Sequence, residues 1–273
     1  VLLDDFSLEM TGKDVGELAG ARVALPPGTR INVTFLGHED LAARLAAAHA
    51  VRAAGFIPVP HVSARRLASR QMLEEFLAAL RTAGVSDEVF VVSGDPSDPH
   101  GPYPDSLSII ESGLLERYGV RRASIAGYPE GHPDIPYDIL WEALTGKSAA
   151  LRKRSLDGDI ITQFGFDTDP VLDWIAAVRE RGIDSPVRIG VPGPAGVRRL
   201  LRYAARFGVA TSTSIARKYG LSITNLVGTA GPGEFLRTLA TDYHPETHGQ
   251  VKLHFYTFGG LQATAEWIRD FAF

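Results

Sequence analysis

IITQFGFD, residues 160–167, is followed by DPVLDWIAAVRERG at 169–182 and VRIGVPG at 187–193. The outer pieces open on β-branched apolar residues, as buried parallel strands do. The middle piece carries its apolar residues at helical spacing and ends on Gly182, as a helix cap should. Strand, helix and strand in this order make a βα unit, and the same alternation runs in both directions along the chain. Eight strand-like runs result: FSLEM (6–10), RINVTFL (30–36), IPVPHVS (57–63), EVFVVSGD (88–95), RASIAGY (122–128), IITQFGF (160–166), VRIGVPG (187–193) and KLHFYTFGG (252–260). Amphipathic segments such as EDLAARLAAAHAVRAA (39–54) and RLASRQMLEEFLAALRTAG (66–84) separate them. Eight such units in 273 residues predict an α/β fold, a single-domain (β/α)8 TIM barrel over 1–273. A doubly wound open sheet is the alternative with the same periodicity. The segment 209–249 is too long for one barrel helix and is expected to form an irregular helical insertion, two helices and a loop.

Composition narrows the function. The chain is 45% hydrophobic and 22% charged with a net charge of −4, so it carries no electrostatic footprint for nucleic acid or an anionic membrane surface. Zero cysteines exclude disulfides, thiolate metal sites and cysteine nucleophiles. VLLDDFSLEM has no basic leader and no apolar run approaches a membrane span, so a cytoplasmic protein is expected. The eight histidines show no metal-type spacing, and neither GPAG (193–196) nor VSGD matches a dinucleotide or phosphate fingerprint. No metal is expected, and the chain has no Rossmann-type dinucleotide site.

In a barrel, chemistry gathers at the C-terminal ends of the strands. Those ends offer Glu9, Thr34, His61, Asp95, Tyr128, Gln163, and Tyr256 with Thr257. Any one of them alone is explained by a strand end approaching solvent. Together they supply titratable or hydrogen-bonding groups from seven strands to one rim.

INVTFLG (31–37), PHVSA (60–64), SGD (93–95), GYPEGHPD (127–134), ITQFGFD (161–167) and HFYTFGG (254–260) resemble, in order, the motifs of methylenetetrahydrofolate reductases, and SLEM (7–10) stands where that family has its catalytic glutamate. The resemblance implies a (β/α)8 barrel that reduces 5,10-methylenetetrahydrofolate to 5-methyltetrahydrofolate at the expense of NADH or NADPH, in one-carbon metabolism and methionine biosynthesis. It gives Glu9 the role of general acid, which opens the methylene bridge by protonating the nitrogen on the aminobenzoyl arm. The apolar neighbours Phe6, Leu8 and Met10 suggest a desolvated acid. Asp95 and Gln163 would address the pterin edge, Asp95 following a glycine that lets the backbone approach a ligand. Tyr256 would join them in binding the tetrahydrofolate derivative. Thr34, His61, Tyr128 and His132 match positions that hold FAD in the family. Bland readings stand beside these: a turn for Asp95 in DPSDPHGP, a solvated imidazole for His132, a rim aromatic for Tyr128.

The chain departs from the family at three places. Ser93 stands where an Arg precedes the GD, Gly165 where an aromatic is expected, and Gly259 with Gly260 where an Asn-Arg pair follows the HFYT-like motif. Fewer flavin contacts result, and Gly165 leaves room for a nicotinamide against the folate. Direct hydride transfer from NAD(P)H is therefore the expected route, with transfer through bound FAD as its alternative. A more distant reading is a barrel lyase or aldolase binding a small anion at VPGPAG (191–196); the absence of Lys at the strand ends counts against a Schiff base. A non-catalytic binding barrel would keep the pocket without needing an acid.

Overall fold

In the computed structural model, which describes residues 2–35, 40–209 and 229–271, each of the eight runs forms a strand. They are β1 Ser7–Met10, β2 Arg30–Val33, β3 Ile57–Ser63, β4 Glu88–Val92, β5 Arg122–Gly127, β6 Ile160–Phe164, β7 Val187–Pro192 and β8 Val251–Tyr256. All neighbours pair in parallel, and β1 closes the sheet by pairing with both β2 (Glu9 with Asn32) and β8 (Ser7 with His254). The result is the closed barrel, not the open sheet.

Two-residue alternation sorts each strand into an outward and an inward row. The outward row, including Leu8, Met10, Ile31, Val62, Val89, Val91, Ile125, Ile189 and Phe255, is buried against the surrounding helices and forms the main core. The inward row is layered. At the N-terminal end six alternating charges form a closed ring: Asp5 pairs with Arg30, Arg30 with Glu88 (2.8 Å), Glu88 with Arg122 (3.8 Å), Arg122 with Asp159 (2.8 Å), Asp159 with Arg188 (2.5 Å), and Arg188 with Asp5 (3.1 Å). Above it Val59, Phe90 and Ile161, with Val92 and Ala126 against them, make a small apolar plug on one side of the interior. The polar site lies above and beside that plug.

Strand β6 is irregular. Its register against β7 shifts between Ile161 and Phe164, so that Thr162 Oγ1 accepts the Gly190 N–H (2.8 Å) and Gln163 Oε1 accepts the Phe164 N–H (3.1 Å). A bulge of this kind re-aims side chains at a barrel rim. It explains why a core strand carries an amide: Gln163 serves its own distorted backbone.

After β7 a short antiparallel pair, Ala195–Gly196 with Thr229–Ala230, brackets the helix Val197–Phe207. This helix touches the C-terminal ends of several strands. Tyr203 stacks on Phe258 beyond β8 (4.2 Å between ring centroids), Phe207 meets Phe164 at the end of β6 (6.0 Å), and Gly208 packs against Pro133 in the loop after β5. It thus runs along the barrel mouth. Within the stretch expected to hold the insertion, helices occupy Gly233–Asp242 and Pro245–His248, while 210–228 lie outside the described residues. Among the described residues no helix is long and apolar enough to cross a membrane.

Candidate active site

Glu9 projects from the inward row of β1 with its side chain 19% exposed. Two imidazoles face it: His61 Nε2 lies 3.7 Å and His254 Nε2 3.6 Å from Glu9 Oε2. The apolar neighbours Leu8 and Met10 do not surround this carboxyl, because adjacent strand residues point to opposite faces and both lie in the outer core. The carboxyl is enclosed by inward residues of β3 and β8 instead.

His254 is fully buried, and its Nδ1 is 2.8 Å from Ser7 Oγ, which lies one pleat below Glu9 on β1. His61 is buried edge-on against Phe90 (4.8 Å between centroids). Burial pushes the His61 pKa down to about 4, against an upward pull from Glu9, with His254 and Arg44 lowering it further. His61 is therefore neutral at neutral pH. Asn32 Nδ2, His61 Nε2 and His254 Nε2 are all buried without a hydrogen-bond partner among the described residues. Native interiors leave few such atoms unpaired. Three of them in the same interior, two aimed at Glu9, mark a place built to receive polar atoms of a ligand.

Tyr256 lies one pleat above His254, packs edge-on against it (5.0 Å) and donates its hydroxyl hydrogen to Thr162 O (3.0 Å). Burial holds its pKa well above the ordinary phenol value, with Glu9 and Tyr128 adding to the rise. Thr257 Oγ1 donates to the backbone carbonyl of Glu9 (2.6 Å), pinning β1 to the end of β8. Glu9, His61, Tyr256 and Tyr128 are thus brought within electrostatic reach of one another.

The other expected residues are placed differently. Thr34 Oγ1 donates to Met10 O (2.7 Å). His132 Nδ1 accepts the Asp134 N–H (3.1 Å) in a tight turn, and its ring meets Tyr128 edge-on (5.5 Å). Gln163 borders the bulge described above. Asp95 stands on the outer rim with its side chain 71% exposed, and Arg66 reaches its Oδ1 through Nε (3.1 Å) and Nη2 (2.7 Å). Burial raises the Asp95 pKa, but the Arg66 hydrogen bonds and the fields of Arg66 and Arg206 outweigh it and leave the carboxyl below its usual range. Arg66 puts a guanidinium beside Asp95 although Ser93 carries none. The inward residue of β4 at the level of the site is Val92, not Asp95.

The glycine departures also have structural reasons. A Cβ on Gly165 would stand 2.7 Å from Glu130 Oε1, so the space expected to admit a nicotinamide holds the Glu130 side chain. At Gly259 a Cβ would overlap the Pro194 carbonyl, because the loops after β7 and β8 pack directly together. In VPGPAG the Gly193 N–H is already donated to Tyr256 O (2.8 Å), and Ala195–Gly196 is paired with Thr229–Ala230. This loop therefore offers little free backbone to an anion.

Reading strand ends alone missed Ser7, Asn32, His254 and Arg66. The first three were available from parity: Ser7 with Glu9, Asn32 with Thr34, and His254 with Tyr256 stand two apart and share the inward face. Arg66 lies in the loop after β3, and no pattern in the sequence ties it to Asp95. Among the described residues no group of three or more His, Asp or Glu side chains is arranged to hold a metal.

No family model matches the chain. It is similar to methylenetetrahydrofolate reductase (NADH) 1 of Arabidopsis thaliana, 31% identical over 150 residues covering 49% of this chain and 24% of that protein. The protein of the same name in Zea mays is 31% identical over 140 residues, 45% of this chain and 22% of that one. Methylenetetrahydrofolate reductase 2 of Saccharomyces cerevisiae is 33% identical over 89 residues, 32% of this chain and 14% of that one. The matches span about a quarter of the length of the plant relatives and less of the yeast one. An uncharacterized protein from Clostridium thermocellum, described as binding two copies of 5-methyl-5,6,7,8-tetrahydrofolic acid, aligns over 98% of this chain and 95% of its own (TM-score 0.60, 9% identity). Dihydropteroate synthase from Thermus thermophilus aligns over 97% and 92% (TM-score 0.51, 14% identity), so both share the fold.

Proposed function

We propose that this barrel reduces 5,10-methylenetetrahydrofolate to 5-methyltetrahydrofolate, with Glu9 as the general acid and a reduced nicotinamide dinucleotide as the hydride donor. The observation that carries the reading is a carboxyl in the barrel interior facing two imidazoles whose Nε2 atoms have no hydrogen-bond partner among the described residues. Its direction is supplied by the named reductases that the chain resembles in sequence. The dinucleotide is taken as NADH because the plant relatives carry NADH in their names.

Glu9 gives its proton to the folate nitrogen on the aminobenzoyl arm. The bond from that nitrogen to the methylene carbon breaks, its electron pair staying on nitrogen, and an iminium forms between the carbon and the pterin nitrogen. The hydride of the reduced nicotinamide adds to this carbon, leaving a methyl group and an oxidised nicotinamide. Ser7 Oγ lies 2.8 Å from His254 Nδ1 and fixes the ring with its Nε2 edge 3.6 Å from Glu9 Oε2, where the tautomer bearing hydrogen on Nε2 would steady the carboxylate once the proton has left. Neutral His61 adds a second polar contact without a fixed positive charge. Tyr256, anchored on the bulged strand, walls the pocket beside His254.

Residues at the flavin positions do not fit FAD well. Thr34 Oγ1 and His132 Nδ1 make internal hydrogen bonds, His61 is buried, and the Gly259 loop is closed by Pro194. Direct transfer is the route this supports. Glu9→Gln tests the reading: the chemical step should slow by roughly 10²–10⁴-fold, the range for general acid catalysis, with folate affinity changed far less. Undiminished single-turnover reduction in that variant would remove Glu9 from the mechanism.

A further inference from the structure

Ser7 and His254 are paired in register where β1 and β8 close the barrel, and both are buried. Ser7 Oγ stands 2.8 Å from His254 Nδ1 and 3.5 Å from the Leu253 carbonyl oxygen. The opposite edge of the ring turns Nε2 toward Glu9 Oε2 at 3.6 Å, and this nitrogen has no hydrogen-bond partner among the described residues. A carbonyl or carboxylate beside Nδ1 would lock one tautomer, because it can only accept. A hydroxyl donates and accepts, so Ser7 satisfies either tautomer. With hydrogen on Nδ1, the ring donates to Ser7 Oγ, the hydroxyl hydrogen turns to Leu253 O, and a bare Nε2 faces Glu9. With hydrogen on Nε2, Ser7 Oγ donates to Nδ1 and the ring presents an N–H to Glu9. The first state suits a carboxylic acid, which has a hydrogen to give; the second suits a carboxylate, which only accepts.

We propose that Ser7 is a positioning residue whose hydroxyl lets His254 change tautomer with the protonation of Glu9, so that one ring supports both the acid before transfer and the carboxylate it leaves. This role rests on the function proposed above, in which Glu9 passes between the two states once per turnover. The ring is neutral in both: one proton leaves Nδ1 and one joins Nε2 by exchange with water, with no net gain. The other titratable groups facing the pair keep their charge near neutral pH. Burial pushes the His61 pKa down to about 4, with Arg44 lowering it further, and burial raises the pKa values of Tyr128 and Tyr256. Glu9 is therefore the group whose titration the ring can follow.

The test is 15N NMR of the His254 ring across the titration of Glu9, which is followed in the same protein by its carboxyl 13C resonance. In the wild type the ring hydrogen should pass from Nδ1 to Nε2 as pH rises, with the midpoint of the Glu9 signal. In Glu9→Gln the change should vanish. Ser7→Ala takes away the acceptor at Nδ1, so the hydrogen should stay on Nε2 at every pH. Because that tautomer favours the carboxylate, the alkaline limb of kcat/KM for methylenetetrahydrofolate reduction should move to lower pH by about half a unit or more. Ser7→Thr keeps the hydroxyl and should restore both behaviours. A wild-type ring that holds one tautomer throughout, takes a second proton instead, or still changes in Glu9→Gln overturns the proposal. A tautomer that follows Glu9 in a protein that reduces no methylenetetrahydrofolate upholds the coupling through Ser7 and overturns the folate reading.

Discussion

His61 is the residue whose environment has the clearest consequence for stability. Burial holds its pKa at about 4 against an ordinary 6.5, so between these values the unfolded chain takes up a proton that the folded protein refuses. The unfolded state then binds more protons, and stability rises with pH. The contribution is fully present above pH 6.5 and is lost as pH falls toward 4, about 3 kcal/mol in all. Urea unfolding of wild type and His61→Gln across that window checks this: the wild-type curve should be steeper, and equal slopes would show that His61 is not held neutral. Glu9 sits on the same interior surface, so its exchange for Gln alters the chemistry more than the packing.

Strand β6 shows why an element can matter beyond its own residues. Its bulge lets Thr162 accept both from Gly190 N and, through its carbonyl, from the Tyr256 hydroxyl. The arrangement requires Gly190 to have no side chain: a Cβ would stand 2.5 Å from Thr162 O and 2.8 Å from both Phe164 N and Tyr256 Cε2. Gly190→Ala should therefore cost about 1–3 kcal/mol, the range for overpacking a tight interior, and loosen Tyr256. Chemical denaturation measures the first effect; a variant as stable as wild type would show that the bulge yields at no cost. The strand runs and their order were legible in the sequence because β-branched runs alternate with helical periods. The bulge was not, since IITQFGF reads as seven regular residues and only the pairing with Gly190 reveals the slip. Likewise Glu9 was legible as a strand-end acid, but its partners His61 and His254 lie 52 and 245 positions away, a proximity that only barrel closure creates.

At the scale of the molecule, the two ends of the barrel are built for different purposes. The N-terminal end is closed by the six-charge ring, with Arg188 and Asp159 almost wholly buried and paired with each other. Arg188→Met would leave the buried Asp159 with only Arg122 of its two guanidinium partners, and breaking a buried pair in this way costs about 3–5 kcal/mol. Adding Asp159→Asn should recover part of that loss. Thermal unfolding of the two variants decides it, and a single variant as stable as wild type would mean that the ring contributes nothing net. The interior above it instead leaves Asn32, His61 and His254, among the described residues, with unmet hydrogen-bonding capacity around a carboxyl. Stability at one end and unmet capacity at the other is the division expected of a barrel with the proposed activity.

Direct hydride transfer is tested most plainly by isotope. The purified protein, without added flavin, is given NADH deuterated at the transferable C4 position together with 5,10-methylenetetrahydrofolate, and the folate product is examined by mass spectrometry. The expected product is 5-methyltetrahydrofolate with one deuterium in its methyl group. Formation of unlabelled methyl product, as when the hydride first rests on an exchangeable flavin nitrogen, or no reduction until flavin is supplied, would contradict direct transfer from the nicotinamide.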